Sequence, residues 1–330
     1  MPLQIQALLL AITTIYQIIV CLIENRTSPP GQRIDIGSYT LHLQTMGTGQ
    51  QTIVLDHSLG GLEGYLLLNK LAPLGRIYIY DRAGYGWSDH SPYPRTSDQV
   101  VKELDLLLTH AKAEPPYLLV GDSFGSYNMR LYAHRFPAKV SGLVLTDGLH
   151  ERAMLNMPLQ LKALKLFFIS GFLMSIVGSA FGIIRLLRLC QVFKLVKPAL
   201  RKYPPAELMH VTRSFCRPKH WITMCRELWN LDQSGRQLRV AENLGTLPLA
   251  SIKSQSFFKP SLLTRLTPLR SANRLRDKIH IDLMQLSSVS KQFPASNSSH
   301  FVWVDEPEVM VAAVKWVLAN QSKNSKEHDD

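Results

Sequence analysis

The run Tyr-Leu-Leu-Val-Gly-Asp-Ser-Phe-Gly at positions 117–125 places a Gly-x-Ser-x-Gly pentapeptide directly after a short apolar segment. The apolar segment predicts a buried strand, and residues 127–136 have the pattern of a helix. Glycines on both sides of Ser123 allow a tight turn from strand to helix, which exposes the serine oxygen. The turn also leaves the backbone N–H of Phe124 free to stabilise an oxyanion. The pattern therefore predicts Ser123 as a nucleophile.

Two earlier segments, 52–61 and 76–89, are also apolar strands that end in glycine-containing turns. In this order, followed by the pentapeptide, they resemble the α/β-hydrolase family. The resemblance covers residues near 33–150 and again 247–320. It implies an α/β fold in which helices flank a mostly parallel central sheet.

The resemblance also implies an oxyanion hole. In this family the loop after the first core strand usually reads His-Gly-x-Gly, and the residue after the first glycine donates the second N–H. Here that donor is Leu59, which would act together with Phe124. The chain has Ser58 where the glycine is usual, and a non-glycine residue resists positive φ. We expect His57 to shape this loop.

A serine hydroxyl needs a base within hydrogen-bond reach, and that base needs an orienting group. The family order is serine, acid, histidine. His300 lies late in the chain, just before a predicted closing helix that begins near 305–308, so it is the predicted base. His57, His150 and His280 are weaker candidates because each falls outside the expected place.

The acid is less clearly marked. Asp147 follows the apolar strand 140–146, and some family members carry the acid at this strand tip. Others carry it after the next strand, near 247–253, but the twenty residues after that strand contain no Asp or Glu. We therefore predict Asp147, with Asp277 and then Asp282 as the alternatives.

Asp122 neighbours the nucleophile but is not a predicted reaction partner, because Ser123 is the residue centred between the glycines. A haloalkane dehalogenase or an epoxide hydrolase would need a carboxylate at that centre. Both activities are therefore disfavoured.

The resemblance implies that a helical cap is inserted into the hydrolase core between two strands. The predicted segments are an N-terminal membrane anchor at 1–26, the first part of the core at 27–149, the cap at 150–246, the second part of the core at 247–320, and a polar tail at 321–330.

Most of the positive charge belongs to the predicted cap. Residues 151–246 contain fifteen Lys or Arg and five Asp or Glu, a net +10 within a chain total of +12. The same cap contains the uncharged stretch 166–184, which favours an anionic membrane over nucleic acid as the reason for the charge. A single bilayer crossing there would separate Ser123 from His300. We therefore expect a segment that is either buried in the cap or in contact with lipid.

The stretch Leu3–Ile23 contains 21 uncharged residues, enough at about 1.5 Å per residue to cross a hydrocarbon core of about 30 Å. No basic residue precedes it and no small-x-small site follows, which favours an uncleaved anchor over a signal peptide. Arg26 and Arg33 follow the stretch, so the positive-inside rule places the catalytic domain in the cytoplasm. The four cysteines form no metal-binding pattern.

These features favour a membrane-anchored serine hydrolase that cleaves an apolar, lipid-like acyl ester without a cofactor. One alternative is a prolyl-aminopeptidase-like peptidase, which would usually need an acidic cluster in its cap. The other is a non-catalytic relative that binds a lipid or a partner. The oligomeric state stays open.

Overall fold

The computed structural model describes residues 3–196, 198–257 and 268–324. Within them, strands form one sheet in the order β1-β2-β4-β3-β5-β6-β7-β8. Strand β2 pairs antiparallel with β1 and β4, and the pairs from β4 to β8 are parallel. The strands are β1 Gln32–Asp35, β2 Thr40–Met46, β3 Thr52–Asp56, β4 Arg76–Tyr80, β5 Tyr117–Asp122, β6 Val140–Thr146, β7 Leu249–Ser254 and β8 Ser290–Ala295.

The central strands are buried on both faces, as their continuous apolar sequences predict. Leu55 of β3 pairs with Val120 of β5, and Val120 pairs with Val144 of β6. Because these strands are parallel, their carboxyl ends lie at one edge of the sheet. The residues that follow β5 and β6, Ser123 and Asp147, therefore come close together.

Helices cover both faces of the sheet. Helices α3, α4 and α12 contribute to the apolar cluster on one face, and α2, α13 and α14 to the cluster on the other. The helices are α1 Leu3–Arg26, α2 Leu68–Leu71, α3 Ser97–His110, α4 Phe124–Arg135, α5 Glu151–Leu155, α6 Leu159–Ala180, α7 Ile183–Leu189, α8 Val192–Val196, α9 Pro205–Phe215, α10 Pro218–Trp229, α11 Leu231–Gln237, α12 Leu269–Met284, α13 Val302–Asp305 and α14 Pro307–Asn324.

Helices α5–α11 all lie between β6 and β7, within the segment predicted as a cap. Helix α6 packs along α10 and also contacts α12 of the core. Among the described residues, α1 and α6 are the two helices long and apolar enough to cross a membrane, by length and composition alone. Helix α1 contacts α7, so it lies beside the cap.

Two predicted boundaries differ from the structure. Helix α4 begins at Phe124, three residues before the predicted helical stretch, and so starts directly after Ser123. Helix α14 continues to Asn324, four residues into the segment predicted as a polar tail. The side-chain amide of Gln321 donates to Ser141 Oγ at 2.8 Å, which fastens this last turn to β6. The remainder of the predicted tail, 325–330, lies outside the described residues.

Candidate active site

Ser123 occupies the sharp turn that the pentapeptide predicts. Its backbone has φ 49° and ψ −109°, a conformation that L-residues rarely adopt. A Cβ atom on Gly121 would lie 2.7 Å from the carbonyl oxygen of Gly125, and one on Gly125 would lie 2.5 Å from the carbonyl oxygen of Asp56. Both flanking glycines are therefore required by close backbone approach. The turn fixes the Ser123 hydroxyl at the carboxyl edge of the sheet.

His300 and Asp147 lie in hydrogen-bond order beside this serine. His300 Nε2 is 2.9 Å from Ser123 Oγ, and His300 Nδ1 is 2.6 Å from Asp147 Oδ2. A proton on Nδ1 that is donated to Asp147 leaves Nε2 free to accept the serine proton. The three residues, far apart in sequence, therefore have the geometry of a nucleophile, a base and an orienting acid.

The pKa values of the pair suit those roles. Burial lowers the pKa of His300, but the hydrogen bond and the charge of Asp147 raise it, and the net result lies above the ordinary 6.5. Burial raises the pKa of Asp147, but hydrogen bonds from His280 and His300 together hold it below its ordinary value. Asp147 is thus ionised at neutral pH, as a group that stabilises an imidazolium must be.

Further polar groups surround Asp147. The backbone N–H of Ser254 donates to Oδ1 at 3.2 Å, the Ser254 hydroxyl donates to Oδ2 at 3.0 Å, and His280 Nε2 lies 3.3 Å from Oδ1. Arg276 Nη1 in turn donates to the Ser254 hydroxyl at 2.8 Å. These positioning residues come from β7 and α12. From the sequence His280 was only a weaker candidate for the base, and no local pattern marks its contact with Asp147.

The other candidates lie elsewhere. Asp277 forms an ion pair with Lys253 at 2.8 Å and is half exposed. Asp282 lies 4.0 Å from His150 rather than near His300. Burial lowers the pKa of His57 to about 4, and this ring accepts a hydrogen bond from the Gly64 N–H at 3.3 Å. The geometry therefore favours Asp147 over both alternative acids.

The loop after β3 carries the predicted second oxyanion donor. Leu59 and Phe124 both line a cavity beside Ser123, and the Phe124 N–H belongs to the first turn of α4, where N–H groups lack helical acceptors. Ser58 is not among the described residues with positive φ. The positive φ in this loop occurs two residues later, at Gly60 with φ 66°. The unusual serine is thus compatible with an ordinary backbone.

A buried arginine fixes this loop. Arg82 Nη1 donates to the carbonyl of His57 at 2.7 Å, and Nη2 donates to the carbonyl of Ser58 at 2.8 Å. The same guanidinium pairs with Asp56 at 2.6 Å and with Glu227 of α10 at 2.8 Å. All three charged side chains are almost fully buried. The cap and the loop after β3 are thus joined through one cation, a contact that no sequence pattern marks because Glu227 lies 145 residues away.

The cavity above Ser123 has a volume of about 340 Å³ and a mostly apolar lining. Helix α6 contributes Leu164, Phe168 and Phe172, and α10 contributes Met224 and Leu228. Two cations also line it. Lys165 pairs with Asp232 at 3.0 Å, and Arg276 donates to the carbonyl of Gln255 at 2.7 Å. Within the described part of the chain, Asp147 is the only carboxylate in this lining.

Comparison with known proteins agrees with this architecture. A family model described as the alpha/beta hydrolase fold matches residues 51–173. An AB hydrolase superfamily protein of Gibberella zeae is 26% identical over 269 residues, covering 75% of this chain and 79% of that protein. The chain has the α/β-hydrolase fold, and part of it matches the family model.

Solved structures share this fold at low sequence identity. The epoxide hydrolase CorEH is 15% identical with a TM-score of 0.66, and the match covers 87% of this chain and 98% of that one. The enol-lactonase from Burkholderia xenovorans LB400 is 15% identical with a TM-score of 0.59, covering 87% and 100%. Such likeness concerns the fold alone. Among the described residues of this α/β-hydrolase-fold chain, no His, Cys, Asp and Glu cluster could hold a metal ion.

Proposed function

We propose that this protein is a serine hydrolase that cleaves a carboxylic ester with an apolar acyl chain. The observation that carries the proposal is the continuous hydrogen-bond line from Ser123 Oγ through His300 to Asp147, with distances of 2.9 and 2.6 Å. A serine, and not a carboxylate, stands at the centre of the turn, which argues against epoxide opening despite the shared fold.

In the first half of the reaction, Ser123 Oγ bonds to the ester carbonyl carbon while its proton passes to His300 Nε2. Asp147 stabilises the resulting imidazolium. The N–H groups of Leu59 and Phe124 donate to the oxyanion. As the carbon–oxygen bond breaks, His300 returns the proton to the leaving alcohol. Water then repeats the sequence on the acyl-serine, which releases the acid and restores Ser123.

The charge of the cavity favours an ester over a peptide with a free amino terminus. A protonated amino group needs a carboxylate partner in an apolar cavity, and the described lining offers only Asp147, which is already hydrogen-bonded. The apolar walls instead suit a hydrocarbon chain. The described part of the cavity lining therefore lacks the group that the peptidase alternative requires.

The substrate class rests on the cavity and on the surface of the chain. Helix α6 provides cavity walls on one side and exposes large apolar side chains such as Phe167 and Met174 on the other. Together with α1, this supports a membrane-associated enzyme that acts on lipid-like esters. We propose that the reaction needs no cofactor, because Ser123 supplies the nucleophile, His300 the base and Asp147 the carboxylate that orients the base.

The test is a panel of p-nitrophenyl esters of increasing acyl length, with proline p-nitroanilide as the amide comparison. We expect ester turnover by the wild type, none above background by Ser123→Ala, and none of the amide by either. Turnover that persists in a folded Ser123→Ala variant would contradict the proposal. Amide turnover that exceeds ester turnover would favour the peptidase, and a folded wild type inactive on every substrate would favour a binding protein.

A further inference from the structure

The exposed apolar side chains are concentrated in two parts of the molecule. Among the described residues, 24 of the 31 large apolar side chains exposed to solvent lie on α1 or between Leu159 and Leu195. Soluble monomers rarely expose contiguous apolar patches of more than a few hundred Å². We call the outward apolar side chains of α1, α6 and α7 the membrane face. Whatever covers this face must itself be apolar over a wide area.

Helix α1 is not apolar on every side. A polar stripe of Thr13, Gln17, Cys21 and Glu24 recurs every three or four residues, which places its members on one face of the helix. Gln17 is only 4% exposed, although its helical neighbours are exposed. Its amide donates to the carbonyl of Cys216 at 2.8 Å. The polar stripe therefore faces the cap and not the solvent.

Arginines of the cap bind this stripe. Arg185 donates to Gln17 Oε1 and to Glu24 Oε1, each at 2.7 Å, and Arg217 donates to Glu24 Oε2 at 2.8 Å. The Arg185 side chain is 3% exposed. A Cβ atom on Gly182 would lie 2.4 Å from the carbonyl oxygen of Thr13, so the two backbones approach closely. Helix α1 is thus docked on the cap through ion pairs and close packing.

Because α1 is docked on the cap, only part of it could enter a bilayer without the cap. The part of α1 in which every residue is exposed is Leu3–Ile12, ten residues or about 15 Å of helix, half of a hydrocarbon core of about 30 Å. The rest of α1, residues 13–26, runs beside Arg185 and Arg217, whose charges oppose transfer into lipid unless they stay paired. Lipid that covers the outer side of this docked part of α1 would therefore also cover α7 and α6.

The charge around the membrane face is complementary to an anionic surface. Lys162 of α6, Arg188 of α7 and Lys194 of α8 are exposed or half exposed, and each such cation near an anionic leaflet contributes about 1 kcal/mol of attraction. A protein partner would instead have to match a face that is apolar over three helices. The apolar area and the basic rim together favour lipid.

We propose that α1, docked on the cap through its polar stripe, is inserted together with α6 and α7 into one leaflet of an anionic bilayer. The protein is then monotopic, and α1 is not a transmembrane tether. Helix α6 separates this leaflet from the cavity, a distance of one helix diameter or about 10 Å. If the proposed ester hydrolysis is correct, the substrate is an ester dissolved in that leaflet; the insertion itself does not depend on hydrolysis.

The test uses the full wild-type chain in phosphatidylcholine vesicles, with and without phosphatidylserine, that contain a lipid with a photoactivated carbene source on its acyl chain. Adducts are mapped by peptide mass spectrometry. We expect adducts on α1 and on 159–189, increased by phosphatidylserine. Adducts on α1 alone would overturn the shared insertion, and equal labelling without phosphatidylserine would overturn the anionic preference.

The docking is tested separately with Glu24→Ala, matched by Glu242→Ala, which removes an exposed ion pair with Arg152. We expect Glu24→Ala to reduce cap adducts by at least about tenfold, since it removes the ion-pair partner of the buried Arg185 and of the partly buried Arg217, and the control to change nothing. Gln17→Leu provides the second variant if Glu24→Ala misfolds. Cap adducts that persist in both folded variants would overturn the docking. Ser123→Ala, with unchanged adducts expected, separates this result from any failure of the esterase assignment.

Discussion

The catalytic core and the cap with α1 differ in how their functional residues are brought together. In the core, Ser123 and Asp147 directly follow neighbouring parallel strands, and His300 lies in a loop shortly after β8. In the cap and α1, the important ion pairs join segments that are distant in sequence: Glu24 binds Arg185 and Arg217, and Glu227 binds Arg82. The core site is therefore marked by local motifs, whereas the cap contacts depend on tertiary packing.

Substitutions in the two regions should also have different energetic effects. The core residues are held by a turn, a sheet edge and hydrogen bonds to Asp147, so single changes should mainly affect the reaction. The Arg82–Glu227 pair is buried and the pairs of Glu24 are mostly buried, so loss of one partner leaves an uncompensated charge. Changes there should mainly affect stability and the position of the cap. The following variants test that division.

The largest effect is expected at Ser123 and His300. Each alanine variant should lower kcat for a p-nitrophenyl ester by about 10⁵- to 10⁶-fold, and the double variant should be no worse, because residues of one triad act as a unit. Steady-state kinetics on proteins with matched thermal unfolding curves measures this. Losses that multiply in the double variant would contradict a single nucleophile–base unit.

The next effect tests Asp147 against the two alternative acids. Asp147→Asn should lower kcat by about 10⁴-fold, since the amide no longer orients or compensates the imidazolium. Asp277→Asn and Asp282→Asn are the matched controls, because neither carboxylate contacts His300 in the structure. We expect these two variants to retain wild-type kcat within a few-fold. A large loss in either control, with Asp147→Asn active, would reassign the acid.

At the boundary of the two regions, Glu227→Gln should reduce the free energy of unfolding by about 3–5 kcal/mol, because it removes one partner of a buried ion pair. Lys102→Ala, which breaks an exposed pair with Asp98, should change it by no more than about 0.5 kcal/mol. Urea denaturation of both variants gives the comparison. Equal, small changes would mean that the Arg82 network does not join cap and core energetically.

A smaller effect concerns acyl-chain choice. Leu164→Trp adds volume to the α6 side that lines the cavity, and should lower kcat/KM for long acyl esters relative to short ones by about tenfold. Leu166→Trp is the control, because this residue is 65% exposed on the outer side of the same helix. Ester-length profiles of the two variants would show the contrast. Identical profiles would argue that the acyl chain lies elsewhere.

The smallest effect is a shift of pH dependence. His300 accepts a proton only when neutral, and the charge of Asp147 raises its pKa above 6.5. Activity should therefore rise with pH, and the midpoint of the acid limb of kcat/KM should lie above 6.5. The residual activity of Asp147→Asn should show a midpoint at lower pH. A wild-type midpoint below 6.5 would contradict the ion pair.

The contrast between core and cap also explains which features could be predicted from the sequence. The pentapeptide predicted the turn at Ser123, and the strand-end position of Asp147 predicted a carboxylate close to it, since buried parallel strands are apolar and end together at one edge. The contacts of His280 and Arg82 could not be predicted, because each depends on packing between distant segments. The polar stripe of α1 left a readable signal, a polar residue every three or four positions of an apolar helix. Its arginine partners left none.

The central claim is that Ser123 is an activated nucleophile, and covalent labelling with a fluorophosphonate tests it most directly. The probe reacts with a serine whose proton is taken up by a base. We expect one adduct on the wild type, mapped by mass spectrometry to the peptide that contains Ser123, and no adduct on Ser123→Ala or His300→Ala. A folded wild type that stays unlabelled, or an adduct on another residue, would contradict the account.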